Sequence, residues 1–179
     1  MKIISLVIVL YGFLTLNPAS AQSVDVDVLQ LLAELEGDWH GELVLEKAQA
    51  SAQEIDYQMS ARLFGGQTLI QEHRFSFPQG PVQALEILTY DEASATVFIS
   101  YFNARKRFVH DLKVTSASQG PNDTWRILTE HEETYGETRV TIRNLYQREG
   151  ALFTKFRWVK DGEDYILSDS VKLTRVTSP

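Results

Sequence analysis

The sequence predicts an all-β fold: a single antiparallel up-and-down β-barrel of about ten strands, entered through one short N-terminal helix. Three observations carry that reading. One stretch repeats its apolar residues at a helical period, and everything after it repeats them at a period of two. The period-two runs are short, recur at roughly 8 to 12 residue spacing, and are separated by turn-forming residues. A meander of that length left open would expose two unpaired edges, whereas closure leaves none.

Ahead of the helix, residues 1–21 read as a removable export signal. Lys2 opens it, an apolar run covers 3–16, Asn17-Pro18 breaks the run, and Ala19-Ser20-Ala21 presents the small-x-small pattern that a signal peptidase accepts. The run is shorter than the roughly 20 apolar residues a bilayer span needs, and it contains Gly12 and Thr15. Cleavage after Ala21 leaves residues 22–179 as one barrel domain, without a membrane span, delivered to the periplasm or the medium. The chain has no cysteine, so neither disulfides nor a lipid-anchoring thiol are available. A bridge-free domain of 158 residues fits a bacterial periplasm better than it fits the small stapled scaffolds of secreted proteins. Lys2 is the only charged residue of the signal, so the remainder carries 16 basic against 24 acidic side chains, a net charge of −8. Such a surface repels phosphate backbones and anionic lipids, which argues against nucleic acid as a partner.

Within 23–36, Val28, Leu31, Leu32 and Leu35 fall at i, i+3, i+4 and i+7, one face of a helix with Asp27 as cap and Gly37 as stop. Strands follow at 39–47, 54–62 and 67–77, the last two separated by Gly65-Gly66. Pro78-Gln79-Gly80-Pro81 is a break, since proline cannot donate to a ladder and glycine permits positive φ. Further strands are expected at 82–90, 94–102 and 106–114. A longer polar loop is expected over 116–123, then strands at 124–132, 137–147, 151–160 and 163–176. Asp161-Gly162 suits a two-residue hairpin between the last pair. The sequon Asn122-Asp123-Thr124 reads as a turn in a bacterial protein.

Leu35-Glu36-Gly37-Asp38-Trp39 resembles the start of a lipocalin or calycin barrel, where a short helix leads into Gly-x-Trp on the first strand. Phe64-Gly65-Gly66-Gln67-Thr68-Leu69-Ile70-Gln71-Glu72, Leu88-Thr89-Tyr90-Asp91 and Leu173-Thr174-Arg175 are similar, in order and spacing, to an uncharacterised bacterial calycin-like family, a domain of unknown function. The resemblance implies structural roles for Gly37, Trp39 and Arg175, with the Arg175 cation over the Trp39 ring. The haem-binding, nitrobindin-like barrels also begin with Gly-x-Trp and are a more distant likeness. Their iron ligand is a histidine on the last strand, where this sequence has Ser168, Asp169 and Ser170.

Alternation along strands sorts side chains between lumen and exterior. Phe108, His110, Leu112 and Val114 oppose Arg107, Asp111 and Lys113. Leu69, Gln71, His73, Phe75 and Phe77 oppose Glu72 and Arg74. His131 follows Trp125, Ile127 and Thr129, and Val140, Ile142, Asn144 and Tyr146 oppose Arg139, Thr141 and Arg143. Tyr165, Leu167, Asp169, Val171 and Leu173 oppose Ser168, Ser170 and Lys172. The interior is thus expected to be apolar and aromatic with a few polar handles.

A barrel of about ten strands is wider than one filled by its own side chains. The function expected from this is binding of a small apolar or amphipathic molecule, oriented by Gln71, His73, His110, Asn144, Tyr146 and Asp169. Two other readings are a lumen enzyme using histidines or a metal, with His73, His110 and His131 as its groups, and an envelope interaction protein with a filled barrel. No local ligand spacing supports a metal, so neither a metal site nor a cofactor is predicted. Glu130-His131-Glu132-Glu133 could hold a cation, but an acidic strand end is usually a solvated rim, and it is read as one. Asp161, Glu163 and Asp164 lack the twelve-residue calcium pattern, and no Gly-x-Ser-x-Gly elbow is present.

Overall fold

The computed structural model describes residues 26–46, 52–104, 106–135 and 137–177; the export signal expected over 1–21 lies outside them. The described chain forms α1 (Val28–Ala33), β1 (Gly37–Leu45), β2 (Gln53–Phe64), β3 (Thr68–Phe77), β4 (Gly80–Asp91), β5 (Thr96–Asn103), β6 (Arg107–Gln119), β7 (Thr124–Tyr135), β8 (Thr138–Glu149), β9 (Leu152–Asp161) and β10 (Asp164–Arg175). Each strand pairs antiparallel with its neighbours in sequence. Because β1 pairs with β10 as well as β2, the sheet closes into a ten-stranded barrel, as its alternating sequence predicts.

α1 is shorter than its apolar period implies. Asp27 caps it, accepting from the Gln30 amide at 3.0 Å. Past Ala33 the chain tightens into three-residue turns, Leu35 N to Leu32 O and Glu36 N to Ala33 O, before Gly37 at φ +124° swings it into β1. Val28, Leu31, Leu32 and Leu35 all end up at most 3% exposed. They share one cluster with Trp39, Trp125, Phe153, Leu88 and Leu173 from the adjoining strands. Burying each of these side chains contributes about 1.5 to 3 kcal/mol. Among the described residues no helix is long and apolar enough to cross a membrane.

Polar ties fix this plug to four strands. The Trp39 indole donates to Leu35 O at 2.7 Å. Arg175 donates to Glu34 O and Glu36 O at 2.6 and 2.7 Å, and its guanidinium lies 4.8 Å from the Trp39 ring centroid. The Glu34 carboxylate accepts from the Trp125 indole at 3.1 Å and pairs with Arg148. A helix leaves its last carbonyls without partners, and a cation there also meets the negative end of the helix dipole.

Several boundaries depart from the pattern. Half of the loop expected over 116–123 is strand: β6 continues to Gln119, after a bulge between Val114 and Ser116 that restores pairing with β7. The β9–β10 hairpin turns on Gly162-Glu163, with Asp161 and Asp164 already paired and Gly162 at φ +61°. A second bulge, between Leu167 and Asp169, reverses parity along β10. Ile166 therefore sits opposite the inward Val159, and Tyr165 and Leu167 face out, contrary to the expectation that they line the lumen. Tyr165 joins Glu130 and Arg143 on the outer wall, its hydroxyl 3.1 Å from Glu130 and its ring 3.8 Å from the Arg143 guanidinium.

The closing seam depends on Gly41, which pairs with Tyr57 on β2 and Leu173 on β10. A Cβ at Gly41 would lie 2.0 Å from Lys172 O and 3.0 Å from Leu173 Cα, both backbone atoms that cannot swing aside. Gly41→Ala should therefore destabilise the fold by about 3 kcal/mol, the upper range of overpacking. Urea unfolding measures this, and a loss under about 1 kcal/mol would show that the seam relaxes freely.

Candidate functional site

With α1 across one end, the lumen's far half lies between the end of β1 and start of β2, and round through the start of β10. The alternation of these strands turns two unlike sets of side chains toward each other. On β2 and β3 stand Tyr57, His73, Phe75 and Phe77, with Tyr57 and Phe75 stacked at 4.6 Å. Five strands round the ring, β7 to β10 present Asn144, Tyr146, Lys155, Arg157, Glu133 and Asp169.

The six residues proposed from sequence all face inward. Gln71, His73, Asn144 and Tyr146 are at most 6% exposed, while the His110 and Asp169 side chains are 20% and 18% exposed. They do not form one cluster. Gln71 lies opposite Glu86 in register, and Asn144 donates to Thr129 at 3.4 Å. Asp169 accepts from Ser168 at 3.0 Å and lies 3.5 Å from Arg157. His73 pairs with Tyr57, whose hydroxyl is 2.6 Å from Nδ1. His110 belongs to a separate group nearer the exposed end.

Protonation follows from burial. Tyr57 is pushed well above the ordinary phenol value by desolvation, with Glu86 adding to it, so it keeps its proton. Burial lowers His73, and Glu86 only partly offsets this, so the imidazole is neutral near pH 7. The Tyr57 hydroxyl donating to Nδ1 leaves the ring proton on Nε2, where it faces Glu86 Oε2 at 3.8 Å; the other tautomer would aim a lone pair at that carboxylate. Tyr146 is raised by burial. Burial alone would lower Lys155, but Tyr146, Glu86 and Asp169 together raise it, so a buried ammonium persists between carboxylates. Its nitrogen lies 5.1 Å from the Tyr146 ring centroid.

Sequence reasoning missed Glu86, Lys155 and Arg157, and set Glu133 aside as part of a solvated rim. Glu133 is no solvated rim residue: its side chain is 16% exposed, and it stands two places beyond His131 on the inward parity of a strand that runs on to Tyr135. One signal was available, since the inward set Trp125, Ile127, Thr129, His131 continues to Glu133. On β9, Phe156 and Trp158 take the outer wall, stacked at 5.7 Å, and their charged neighbours Lys155 and Arg157 go inside. The three histidines considered together are split: His110 and His131 adjoin Glu133, while His73 stands with Tyr57 and Glu86.

Four buried side-chain atoms among the described residues fall outside hydrogen-bond geometry with any partner, and three of them face the lumen: His73 Nε2, with Glu86 3.8 Å away, His131 Nδ1, and Tyr146 Oη, which has the Lys155 ammonium beside it. Two clefts lie elsewhere. One, of about 790 Å³, runs over the outer wall beside Asp38, His40, Gln58, Glu72 and Arg74. The other, of about 760 Å³, opens at the exposed end against Val140, Val159 and Ile166. The outer groove mixes exposed polar side chains with apolar ones such as Leu85, Phe102 and Val176, whereas the buried atoms without partners sit on residues of inward parity.

A family described as "Protein of unknown function (DUF1579)" matches residues 27–105, from the cap of α1 to just past β5. No curated protein matches the chain. Among solved structures, the crystal structure of Rv2717c from M. tuberculosis is similar, with a TM-score of 0.63 and 13% identity over 85% of this chain and 99% of that one. At that identity the likeness is one of fold. The family match bears out, over residues 27–105, the resemblance to an uncharacterised domain of unknown function, and the structural match is one of barrel fold.

Because His73 has a lowered pKa, the unfolded chain binds a proton that the folded chain refuses. Stability should therefore fall as pH drops below about 6.5, with a slope of at most about 1.4 kcal/mol per pH unit for this group. His73→Gln, which keeps a partner for Tyr57, should flatten that slope between about pH 7 and pH 5. Identical pH profiles for the two proteins would assign the effect to other groups.

Proposed function

We propose that this chain is an exported small-molecule-binding protein, cleaved after Ala21, that holds an apolar or amphipathic ligand in the far half of its barrel. The observation that carries the proposal is the set of buried, lumen-facing polar atoms without partners, lying beyond an aromatic wall. Native proteins seldom leave such atoms unmet, because each costs about 1 to 3 kcal/mol. An apolar body fits against Tyr57, Phe75 and Phe77, where ring stacking supplies affinity at low conformational cost. A hydrogen-bond acceptor on the ligand fits the Nε2 proton of His73, and the Tyr146 hydroxyl can serve as donor or acceptor. Binding sites are commonly apolar with a few placed polar groups, as here.

Native mass spectrometry of the protein purified from its own compartment should show a co-purifying organic molecule. In the emptied protein, 1-anilinonaphthalene-8-sulfonate should bind at one site with enhanced fluorescence. Phe75→Ala should weaken it by roughly three- to tenfold, the worth of one aromatic contact. Phe156→Ala, on the outer wall, should leave it unchanged. The proposal fails if no single-site binding is seen, or if the two substitutions act alike.

A further inference from the structure

Near the exposed end of the lumen, His110, His131 and Glu133 bring three ligand atoms within 4.8 Å of one another. Glu133 Oε1 lies 3.0 Å from His131 Nε2 and 3.5 Å from His110 Nε2. β6 and β7 pair at Lys113↔Glu130, and that register carried three residues on brings His110 level with Glu133. The bulge after Val114 lies beyond this stretch, so His110 keeps the inward parity.

We propose that His110, His131 and Glu133 form a binding site for one divalent transition-metal cation of the zinc class. Ligand atoms about 2.0 to 2.1 Å from a tetrahedral metal stand roughly 3.3 Å apart, close to the two printed separations from Glu133 Oε1. Imidazole and carboxylate oxygen are the donors that zinc and its neighbours accept. The carboxylate is already oriented, because Arg157 holds its other oxygen, Oε2, at 2.8 Å. The His110 ring is packed against Phe108 and His131, with centroids 4.6 and 4.8 Å away.

Three protein ligands leave a coordination position toward the lumen, the arrangement of an open site. His131 Nδ1 has no protein acceptor, so the site lacks the outer hydrogen bond that commonly strengthens metal-bound histidine. That deficit is worth about 10- to 100-fold in affinity relative to a site whose histidine has such a partner. The inference goes beyond the lumen ligand, and metal alone tests it.

The chelator-stripped protein should bind Co²⁺ at one ion per chain, with visible ligand-field absorption, and Zn²⁺ should displace it. Glu133→Gln and His131→Gln should each weaken binding by about tenfold or more. His40→Gln is the control, because His40 sits on the outer wall paired with Asp56 and is 56% exposed. Circular dichroism verifies the fold of each variant; should His131→Gln not fold, His110→Gln, nearer solvent, gives the same reading. Absence of one-to-one binding overturns the site. So does binding unchanged in the folded variants, or binding lost equally in His40→Gln.

Discussion

Arg175 is the residue on which the arrangement of this barrel turns. Its guanidinium donates to two carbonyls that the end of α1 leaves without partners and covers the Trp39 ring, while the Trp39 indole satisfies a third, Leu35 O. One cation thereby joins the last strand, the first strand and the helix at the seam where the sheet closes. The helix is too short to persist alone, so it exists as a plug because these ties and its apolar face hold it there. Sealing that end makes a deep apolar floor. Polar side chains are displaced to the other half of the lumen, where the exposed end supplies the higher dielectric they need.

That second half holds more charge than the interior of a simple apolar carrier. Lys155, Arg157, Glu86, Glu133 and Asp169 all face inward, linked through contacts such as Arg157 to Glu133 at 2.8 Å and to Asp169 at 3.5 Å. Taking such groups from water costs several kcal/mol per ion unless each meets an opposite charge, so the network is a geometric constraint more than a source of stability. It fixes where Tyr146, His131 and Glu133 stand. The aromatic wall opposite needs no ionic network: it is held by stacking and by the single Tyr57–His73 hydrogen bond.

The sequence made the ten strands legible because alternation and turn residues agreed over almost every run, and alternation alone placed Gln71, His73, His110, Asn144, Tyr146 and Asp169 inside. It could not reveal the bulges. A single inserted residue reverses facing, and nothing in Tyr165-Ile166-Leu167-Ser168-Asp169 marks where that happens, so Tyr165 was placed on the wrong wall. On β9 the rule that apolar means inside gives the wrong face, since Phe156 and Trp158 are outside and Lys155 and Arg157 are buried by partners on β4, β7 and β10. Those partners are distant in sequence, and only closure of the sheet brings them together. Glu133 was hidden for a related reason: an acidic run at a strand's end resembles a solvated rim until the strand proves three residues longer.

Among the described residues α1 stoppers one end of the barrel, which leaves the opposite end as the route in and out. On the binding reading proposed above, an occupant would leave by the route it entered, as from a reservoir and not through a conduit. A side chain that narrows the doorway without touching the occupant raises the entry and exit barriers by the same amount. It changes the lifetime of the filled state and leaves the equilibrium where it was. Dwell time and affinity are thus separable properties of this fold, the first governed by the exposed end and the second by the walls behind it.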